Sequence, residues 1–442
     1  MRLNFYLVKS AVVGALGGLL FGFDTAVIAG TTSALTATFA LTPGKLGTTV
    51  SIALWGTVLG ALGAGVLGEK LGGRGALRIM GALYLLSALG CAVAWSWPAL
   101  LVFRFIGGLG IGGSSVLGPV YIAEIAPAQW RGRLVGMFQI NVVVGILLAY
   151  LSNFLLAKLH FGSALWHWQL GIAAVPALFF LIMLFTIPRS SRWLITQNRT
   201  EEARQVLELI GSPNSDAELR EIVDSIHLDR AHRHERLFSS KYLFPILLAL
   251  TLGMFNQLSG INAILYYIND IFFAAGFSRL SSDGQAVIIG AVNLGATLVA
   301  MSLIDKLGRK TLLLTGSVGM VICLAGVARL FARHEHSSAL LWLLVGFIIS
   351  FAFSQGSVIW VYISEIFPTR VRSRGQSIGS SAHWITNGLI AAIFPSVAAR
   401  SNAYPFIFFS AMMALQFLLV LFFFPETRGA TLEQLQVKLG TD

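Results

Sequence analysis

Apolar runs long enough to cross a lipid bilayer recur along almost the whole of this 442-residue chain. About 20 residues of helix, at about 1.5 Å per residue, span the roughly 30 Å hydrocarbon core of a membrane. Only 12% of the residues are charged, about half the share found in soluble domains. Backbone polar groups in lipid need partners within the protein, so runs of this length must be helical. The sequence therefore predicts an all-α, polytopic membrane protein.

Twelve transmembrane spans are predicted, and a polar stretch over 189–241 separates them into two sets of six. In that stretch one short amphipathic helix is predicted to start at Thr200, and a second at Ser215, with Glu218 at capping-box spacing. The predicted domains are an N-terminal half (1–188), a cytoplasmic linker (189–241), a C-terminal half (242–427) and a cytoplasmic tail (428–442). The spans cover residues 10–32, 46–69, 76–96, 98–125, 134–157, 166–187, 242–275, 284–304, 311–331, 339–365, 376–399 and 403–424.

The 31 Lys and Arg residues are unevenly distributed between the predicted loops. With the N-terminus inside, 24 fall on the cytoplasmic side and six outside, and Arg104 lies within a span. This asymmetry follows the positive-inside rule and predicts that both termini are cytoplasmic. It also accounts for the net charge of +11 without a nucleic-acid partner.

The sequence contains no pattern typical of a catalytic centre. The two cysteines, Cys91 and Cys323, both lie in apolar runs and are interpreted as packing residues. No metal-ligand spacing, catalytic triad or phosphate-binding loop of the ATPase type is found, so no metal, cofactor or enzyme activity is predicted.

The two halves of the chain repeat each other. Five residues recur at a constant offset of 241, and the segment from Glu69 to Gly72 recurs as Asp305 to Gly308. Such parallel duplication is typical of secondary transporters, which place the substrate between the halves near the membrane midplane. The five pairs are Tyr121 and Tyr362, Glu124 and Glu365, Pro127 and Pro368, Arg131 and Arg372, and Arg133 and Arg374.

Two formal charges lie deep within predicted spans. Asp24 interrupts the apolar run from Ala11 to Gly30, where a carboxylate costs about 3 kcal/mol on insertion scales. Counted along their spans, Asp24 and Arg104 lie at similar depths, about 20 Å from the cytoplasmic side. A carboxylate that alternates between pairing with Arg and carrying a proton is a plausible coupling device. The alternative is a purely structural buried pair.

The chain resembles the sugar porter branch of the major facilitator superfamily over essentially its whole length. Among the members it is most similar to bacterial proton-coupled xylose or hexose symporters. The resembling segments are Gly17-Gly-Leu-Leu-Phe-Gly-Phe-Asp24, Tyr121-Ile-Ala-Glu-Ile-Ala-Pro127, Gln257-Leu-Ser-Gly-Ile-Asn262, Asp305-Lys-Leu-Gly-Arg-Lys310 and Pro425-Glu-Thr-Arg-Gly429.

The resemblance implies a twelve-helix transporter that imports a hexose or pentose by proton symport with alternating access. It also implies a monomeric, multi-pass protein of a bacterial inner membrane, whose partners are the sugar, protons and the bilayer. Residues that match Asp24 and Arg104 serve proton coupling in symporters, whereas facilitators lack the acid. A passive sugar uniporter is therefore the main alternative, and a sugar-sensing receptor on the same fold is a third.

Neutral amides and indole rings are the side chains expected to bind a monosaccharide, because its hydroxyls and C–H faces need both. Gln257 and Asn262 flank Gly260, and local unwinding there would turn both toward one cavity. Asn141 is instead expected to form an interhelical hydrogen bond. The predicted sugar-binding residues, several of them implied by the resemblance, are Gln139, Asn256, Gln257, Asn262, Asn293, Gly356, Trp360, His383, Trp384 and Asn387, and Tyr266 and Tyr267 match an outer gate.

Several residues depart from the family pattern. Asn256 replaces a second Gln, His383 stands where the xylose symporters have Gln, and Gln355 where they have Trp, so the preferred sugar stays open. Arg189 replaces a cytoplasmic Glu.

Charged residues at the cytoplasmic helix ends are predicted to form a latch of ion pairs between the halves, each worth about 1 kcal/mol. Arg189 predicts that this latch is weaker on the side of the first half. The latch residues are Glu69, Glu124, Arg131, Arg133, Asp305, Arg309, Glu365, Arg372, Arg374 and Glu426.

Overall fold

The protein is described by a computed structural model that covers residues 4–159, 161–212, 214–231, 237–334, 338–368, 371–428 and 435. The described residues form helices and connections, without a strand, so the predicted all-α class is confirmed. The helices are α1 (Phe5–Val27), α2 (Thr32–Phe39), α3 (Pro43–Ala92), α4 (Trp97–Ile125), α5 (Ala128–Ala157), α6 (Leu165–Gly171), α7 (Ala174–Met183), α8 (Ser191–Thr196), α9 (Thr200–Leu209), α10 (Ser215–Ala231), α11 (Leu243–Leu258), α12 (Ile261–Tyr266), α13 (Ile268–Ala274), α14 (Arg279–Leu307), α15 (Arg309–Ala332), α16 (Ala339–Phe351), α17 (Ser357–Glu365), α18 (Arg372–Ala398) and α19 (Ala403–Phe423).

The helices account for the twelve predicted spans. Ten helical segments of the described chain are long and apolar enough to cross a membrane. One of them, α3, is broken at Gly72, where φ is 74° and ψ is 160°, and so contains two predicted spans. The remaining predicted span is α18, whose apolar character is diluted by polar residues such as His383 and Asn387.

The described helices group into two compact units. The first contains Met1–Val27, Ile52–Ser152 and His160–His234, so it includes the linker helices α8 to α10. The second contains Glu235–Asp442 together with Ile28–Ser51 and Asn153–Leu159. Two segments of the first half of the sequence are thus grouped with the second unit. The division of the protein into functional halves stays a prediction.

The linker helices pack against the core of the first unit. Leu207 and Ile210 of α9 lie in the same buried cluster as Leu7 of α1. The side-chain amide of Asn4 also donates a hydrogen bond of 2.8 Å to the carbonyl of Leu209. These contacts attach the linker helix α9 to the core of the first unit.

The start of α10 at Ser215 was predicted correctly, but its capping residue differs by one position from the prediction. Asn214, and not Ser215, is the cap, because its Oδ1 accepts a hydrogen bond of 3.1 Å from the backbone N–H of Ala217. Glu218 instead accepts a hydrogen bond from the Ser212 hydroxyl, at 2.6 Å. The difference of one position reflects the similar capping ability of Asn and Ser side chains.

Both units repeat one tertiary contact at the ends of their helices. The Tyr121 hydroxyl donates to the carbonyl of Pro188 at 2.9 Å, and the Tyr362 hydroxyl donates to that of Pro425 at 3.0 Å. Each tyrosine thus ties the fourth span of its half to the chain that follows the sixth. The internal repeat read from the sequence is therefore also a repeat of structure.

Small residues at four-residue spacing allow α1 to approach α5 closely. Gly22 faces the backbone of α5, and a Cβ built on it would lie 1.9 Å from the carbonyl oxygen of Val142. We expect Gly22→Ala to force the helices apart and to destabilise the protein by about 2 kcal/mol, as overpacking does. A thermal unfolding scan of detergent-solubilised protein should show a lowered midpoint. Gly63→Ala is the control, since a Cβ there has no atom within 4 Å; equal midpoints for the two variants would contradict the prediction.

Candidate functional site

Asp24 and Arg104 lie together in the first unit, as their matching depths predicted. Both line one small cavity between α1, α3, α4 and the α6–α7 segment. Arg104 is 96% buried, with an exposed fraction of 4%, and its positive charge attracts the Asp24 carboxylate. A volume of about 20 Å³ leaves room for about one water molecule. The carboxylate and the guanidinium thus face a space of the size of one water molecule.

Three polar side chains of α3 line the same cavity and were not predicted. They are Tyr84, Ser87 and Cys91, spaced about one helical turn apart on one face. The Tyr84 hydroxyl shares a hydrogen bond of 3.0 Å with the Ser114 hydroxyl of α4. Cys91, interpreted from sequence as a packing residue, is buried and is a free thiol. No sequence signal marked this face, because α3 is apolar almost all round.

A break in the seventh predicted span organises the polar residues of the second unit. Gly260 has a φ of 84°, which a residue with a Cβ adopts only at a cost, and it separates α11 from α12. A Cβ at this position would also lie 2.3 Å from the Phe409 ring. The predicted unwinding at Gly260 is confirmed.

The break brings the two flanking amides into contact. Asn262 donates from its Nδ2 to the Oε1 of Gln257 at 3.0 Å. Gln257 Nε2 in turn donates to the Oδ1 of Asn256 at 3.0 Å and lies 3.2–3.3 Å from the two ring nitrogens of His383. Four predicted sugar-binding residues thus form one hydrogen-bonded network with Gln257 at its centre.

Aromatic rings lie next to this network. The ring of His383 is 5.2 Å from that of Trp360 and 5.0 Å from that of Trp384. Trp384 is buried, whereas Trp360 has an exposed fraction of 38%. The second unit therefore places an accessible indole beside neutral amides, a combination that suits a polyol with apolar C–H faces.

The predicted gate tyrosines are buried and anchored within the second unit. Asn387 Nδ2 donates to the Tyr266 hydroxyl at 3.1 Å, so Asn387 contacts the gate and not the Gln257 network. The Tyr267 hydroxyl donates to the carbonyl of Ala391 at 2.8 Å, and its ring stacks on Phe394 with centroids 5.0 Å apart. Both tyrosines tie α12 and its end to α18.

The tenth predicted span contains a π-helical turn, Ala352–Gly356, that no sequence signal indicated. The predicted site residue Gly356 ends this turn. The turn directs the carbonyl of Gln355 toward Asn256, whose Nδ2 donates to it at 3.4 Å. Turns of this type are frequent at functional sites.

Other predicted residues lie outside these contacts. Asn293 is buried on α14 and has no side-chain hydrogen bond with the described residues, while Gln139 lies partly exposed on α5 of the first unit. The expectation for Asn141 was wrong, because its Nδ2 donates to the carbonyl of Met137, one turn earlier in its own helix, at 2.9 Å.

The charged residues of the predicted latch make contacts within their own units. Arg309 pairs with Glu365 at 2.9 Å, and Thr427 donates to the other carboxylate oxygen of Glu365 at 2.6 Å. Glu426 accepts from the backbone N–H groups of Arg309 and Lys310, at 2.9 and 3.0 Å. These carboxylates therefore stabilise helix ends of the second unit.

The corresponding arginines bind helix ends in both units. Arg131 Nη2 donates to the carbonyl of Ala126 at 3.4 Å, and Arg372 Nε donates to that of Phe367 at the same distance. Glu124 accepts a hydrogen bond from the Ser190 hydroxyl and is attracted by the charge of Arg192, whereas the Arg133 guanidinium lies over the Trp130 ring. Glu69 and Arg374 are exposed, and the side chain of Asp305 lies outside the described part of the chain. Ion pairing between the halves stays a prediction.

Comparison with known proteins places this geometry in a family. Residues 10–439 match the family model described as "Sugar (and other) transporter". The chain is 34% identical to the glucose transport protein of Synechocystis, over 98% of this chain and 97% of the relative. It is 32% identical to the D-xylose-proton symporter of Escherichia coli, over 98% of this chain and 95% of the relative.

A solved structure agrees with these sequence matches. The inward-open xylose transporter XylE of E. coli superposes with a TM-score of 0.88 at 32% identity, over 98% of this chain and all of that structure. The sequence motifs, the broken seventh span and the shared fold lead to the same assignment. This chain belongs to the sugar transporter family of the major facilitator superfamily.

Proposed function

We propose that this protein is a proton-coupled symporter that imports a monosaccharide, a hexose or a pentose, by alternating access. The observation that carries the proposal is the enclosure of Asp24 with Arg104 in one cavity of the first unit. A passive carrier has no need of an ionisable acid in hydrocarbon, where the charge is costly. Relatives named as proton symporters for xylose, arabinose and galactose support the same reading.

In the proposed cycle Asp24 carries the proton. The deprotonated carboxylate is neutralised by the Arg104 guanidinium, and protonation from the outside removes that attraction. The free energy of the Asp24–Arg104 interaction therefore depends on whether Asp24 is protonated. If this interaction differs between the outward-open and inward-open states, protonation shifts the equilibrium between them. The side chains of Tyr84 and Ser87 form part of the polar lining of the same cavity.

The sugar is proposed to bind at the Gln257 network of the second unit. Sugar hydroxyls would replace or extend the hydrogen bonds among Asn256, Gln257, Asn262 and His383, and Trp360 would cover an apolar face. The network is neutral and needs no metal or cofactor to hold a polyol. Asn293, Trp384 and Gly356 of the same unit are proposed to complete the site, while the role of Gln139 stays a prediction from the sequence.

We place the protein in the inner membrane of a bacterium, as a multi-pass monomer with both termini in the cytoplasm. The excess of Lys and Arg in loops on the side of the N-terminus supports this orientation. Bacterial relatives of nearly equal length support the compartment.

The test is uptake by proteoliposomes that contain the purified protein. We expect an inward proton gradient to drive accumulation of one labelled sugar among xylose, arabinose, glucose and galactose above its external concentration, and a protonophore to abolish it. The other three sugars, added unlabelled, rank the specificity by competition. Equilibration that stops at equal concentrations with and without the gradient would favour the passive uniporter. Absence of saturable uptake of all four would contradict the proposed substrate class.

A further inference from the structure

In the second unit a carboxylate caps the helix that begins directly after Gly308. Gly308 separates α14 from α15, and the Glu426 carboxylate accepts from the first two backbone N–H groups of α15. A carboxylate at a helix N-terminus satisfies donors that have no partner in the helix and interacts favourably with its dipole. The negative charge at this position is therefore part of how the loop is built.

In the first unit an arginine occupies the corresponding position of the sequence. The repeated contacts of Tyr121 with Pro188 and of Tyr362 with Pro425 align the residues that follow the two prolines, Arg189 and Glu426. The sequence position that holds an anion in the second unit therefore holds a cation in the first, and the Trp193 ring lies against Gly72 where the Glu426 carboxylate lies against Gly308. A guanidinium cannot accept a hydrogen bond, so it cannot replace the carboxylate.

Three arginines repel one another at this position. The positive charges of Arg78 and Arg189 both act unfavourably on Arg74, and Arg189 acts in the same way on Arg78. Among the described residues no carboxylate lies within 4.0 Å of the three guanidinium groups. None of the three guanidinium groups therefore forms an ion pair with a carboxylate of the described chain, and the carboxylate of Glu124 is instead bonded to Ser190.

Part of this arrangement has a structural explanation. Arg74 Nη1 donates to the carbonyl of Ile187 at 2.8 Å, and Arg78 donates to that of Leu184 at 3.3–3.4 Å, so both cap the chain after α7. Capping needs only one or two of the five N–H groups of each guanidinium. It also does not explain Arg189, whose guanidinium carbon lies 5.2 Å from the Trp193 ring.

The cluster lies at the end of an apolar face that is open to lipid. The Arg78 guanidinium lies 4.0 Å from the centre of the Phe185 ring, and Phe185 has an exposed fraction of 63%. Phe179 and Ile182 extend the exposed face along α7, about one turn apart. Basic groups beside such a face suit a lipid, with the head group on the arginines and the acyl chain along the helix.

We infer that Arg74, Arg78 and Arg189 bind the phosphate of an anionic phospholipid, in the leaflet on the side of the N-terminus. The phosphate would lie against the three guanidinium groups and would neutralise charges that otherwise repel. Arginine suits this role because its planar group binds phosphate oxygens in a bidentate manner.

Native mass spectrometry of the full-length protein tests this site. The protein is released from membranes that contain equal amounts of phosphatidylglycerol and phosphatidylethanolamine, and the ratio of retained lipids is measured. We expect Arg78→Gln and Arg189→Gln each to lower the preference for phosphatidylglycerol about fivefold. Arg189→Glu supplies an internal anion, so it should abolish the preference while the protein remains folded. Arg400→Gln, an exposed site far along the chain, removes the same charge and should change nothing.

Three outcomes would overturn the inference. The first is an equal retention of the two lipids by the unchanged protein, and the second is a loss of preference in Arg400→Gln that equals the loss in Arg189→Gln. The third comes from thermal unfolding with inorganic phosphate. If phosphate raises the midpoint of the unchanged protein but not of Arg189→Gln, while the two lipids are retained equally, the site takes a free anion and not a lipid.

Discussion

Asp24→Asn is expected to abolish uphill accumulation of sugar while sugar exchange across the membrane continues. Asn has the size of the protonated acid but cannot bind or release a proton, so the transport cycle loses its dependence on the gradient. One proton that crosses about 100 mV releases about 2.3 kcal/mol. At about 1.4 kcal/mol per tenfold change, that energy sustains an accumulation ratio of about 50. In the variant the ratio should fall to about 1, as measured with labelled sugar in proteoliposomes under an imposed potential.

Two further variants separate coupling from folding. Asp24→Glu keeps an ionisable acid in the cavity and should retain part of the accumulation. Asp216→Asn removes an exposed carboxylate of α10 and should behave like the unchanged protein. Undiminished accumulation by Asp24→Asn would show that the Asp24–Arg104 pair is structural. Loss of exchange in a variant with an unchanged unfolding midpoint would show that the acid is needed for the conformational change itself.

Gln257→Ala is expected to weaken sugar binding by about 30- to 100-fold. The amide of Gln257 is bonded to Asn256, Asn262 and His383, so its removal eliminates direct contacts and also releases the neighbours that it positions. Two to three hydrogen bonds of about 1 kcal/mol each correspond to this change. The Kd is measured by isothermal titration with the sugar that competes best in the uptake panel.

A matched pair of variants distinguishes this network from general damage. Gln285→Ala removes an amide of the same unit whose buried Oε1 has no partner, and its Kd should remain within about twofold of the original. Gly260→Ala changes no sugar-binding side chain, but its Cβ would collide with the Phe409 ring and strain the break. It should therefore lower the affinity through the geometry of Gln257 and Asn262. An affinity of Gln257→Ala within threefold of the original would place the sugar elsewhere.

Structural predictions succeeded where they depended on position along one helix. Asp24 and Arg104 were paired from their depths alone, because a fixed rise per residue converts a sequence position into a depth. The break at Gly260 was predictable for a related reason, since Gly is the residue that adopts positive φ without cost.

Contacts that depend on how each helix is oriented about its own axis were not predictable. Tyr84, Ser87 and Cys91 line the Asp24 cavity because α3 presents one particular face to α1 and α4, and apolar spans carry little periodic signal to reveal that face. The π-helical turn that directs the Gln355 carbonyl toward Asn256 also has no sequence signature. The ion pair of Arg309 with Glu365 was also not predictable, because several charged residues at the predicted cytoplasmic helix ends were possible partners of Arg309.

By itself, the sequence determined that the chain is a duplicated bundle of membrane helices with a costly acid and a set of neutral amides. The conclusions about the helices and the acid rest on the free-energy cost of exposing backbone polar groups and charges to lipid, and this cost acts on each segment separately. Only the tertiary structure decided which amides contact one another and which helix faces enclose Asp24. It also decided that Arg189 joins Arg74 and Arg78 in a cluster that forms no ion pair with a carboxylate of the described residues. These features depend on the rotation and close packing of neighbouring helices, and a list of residues along one chain does not contain that information.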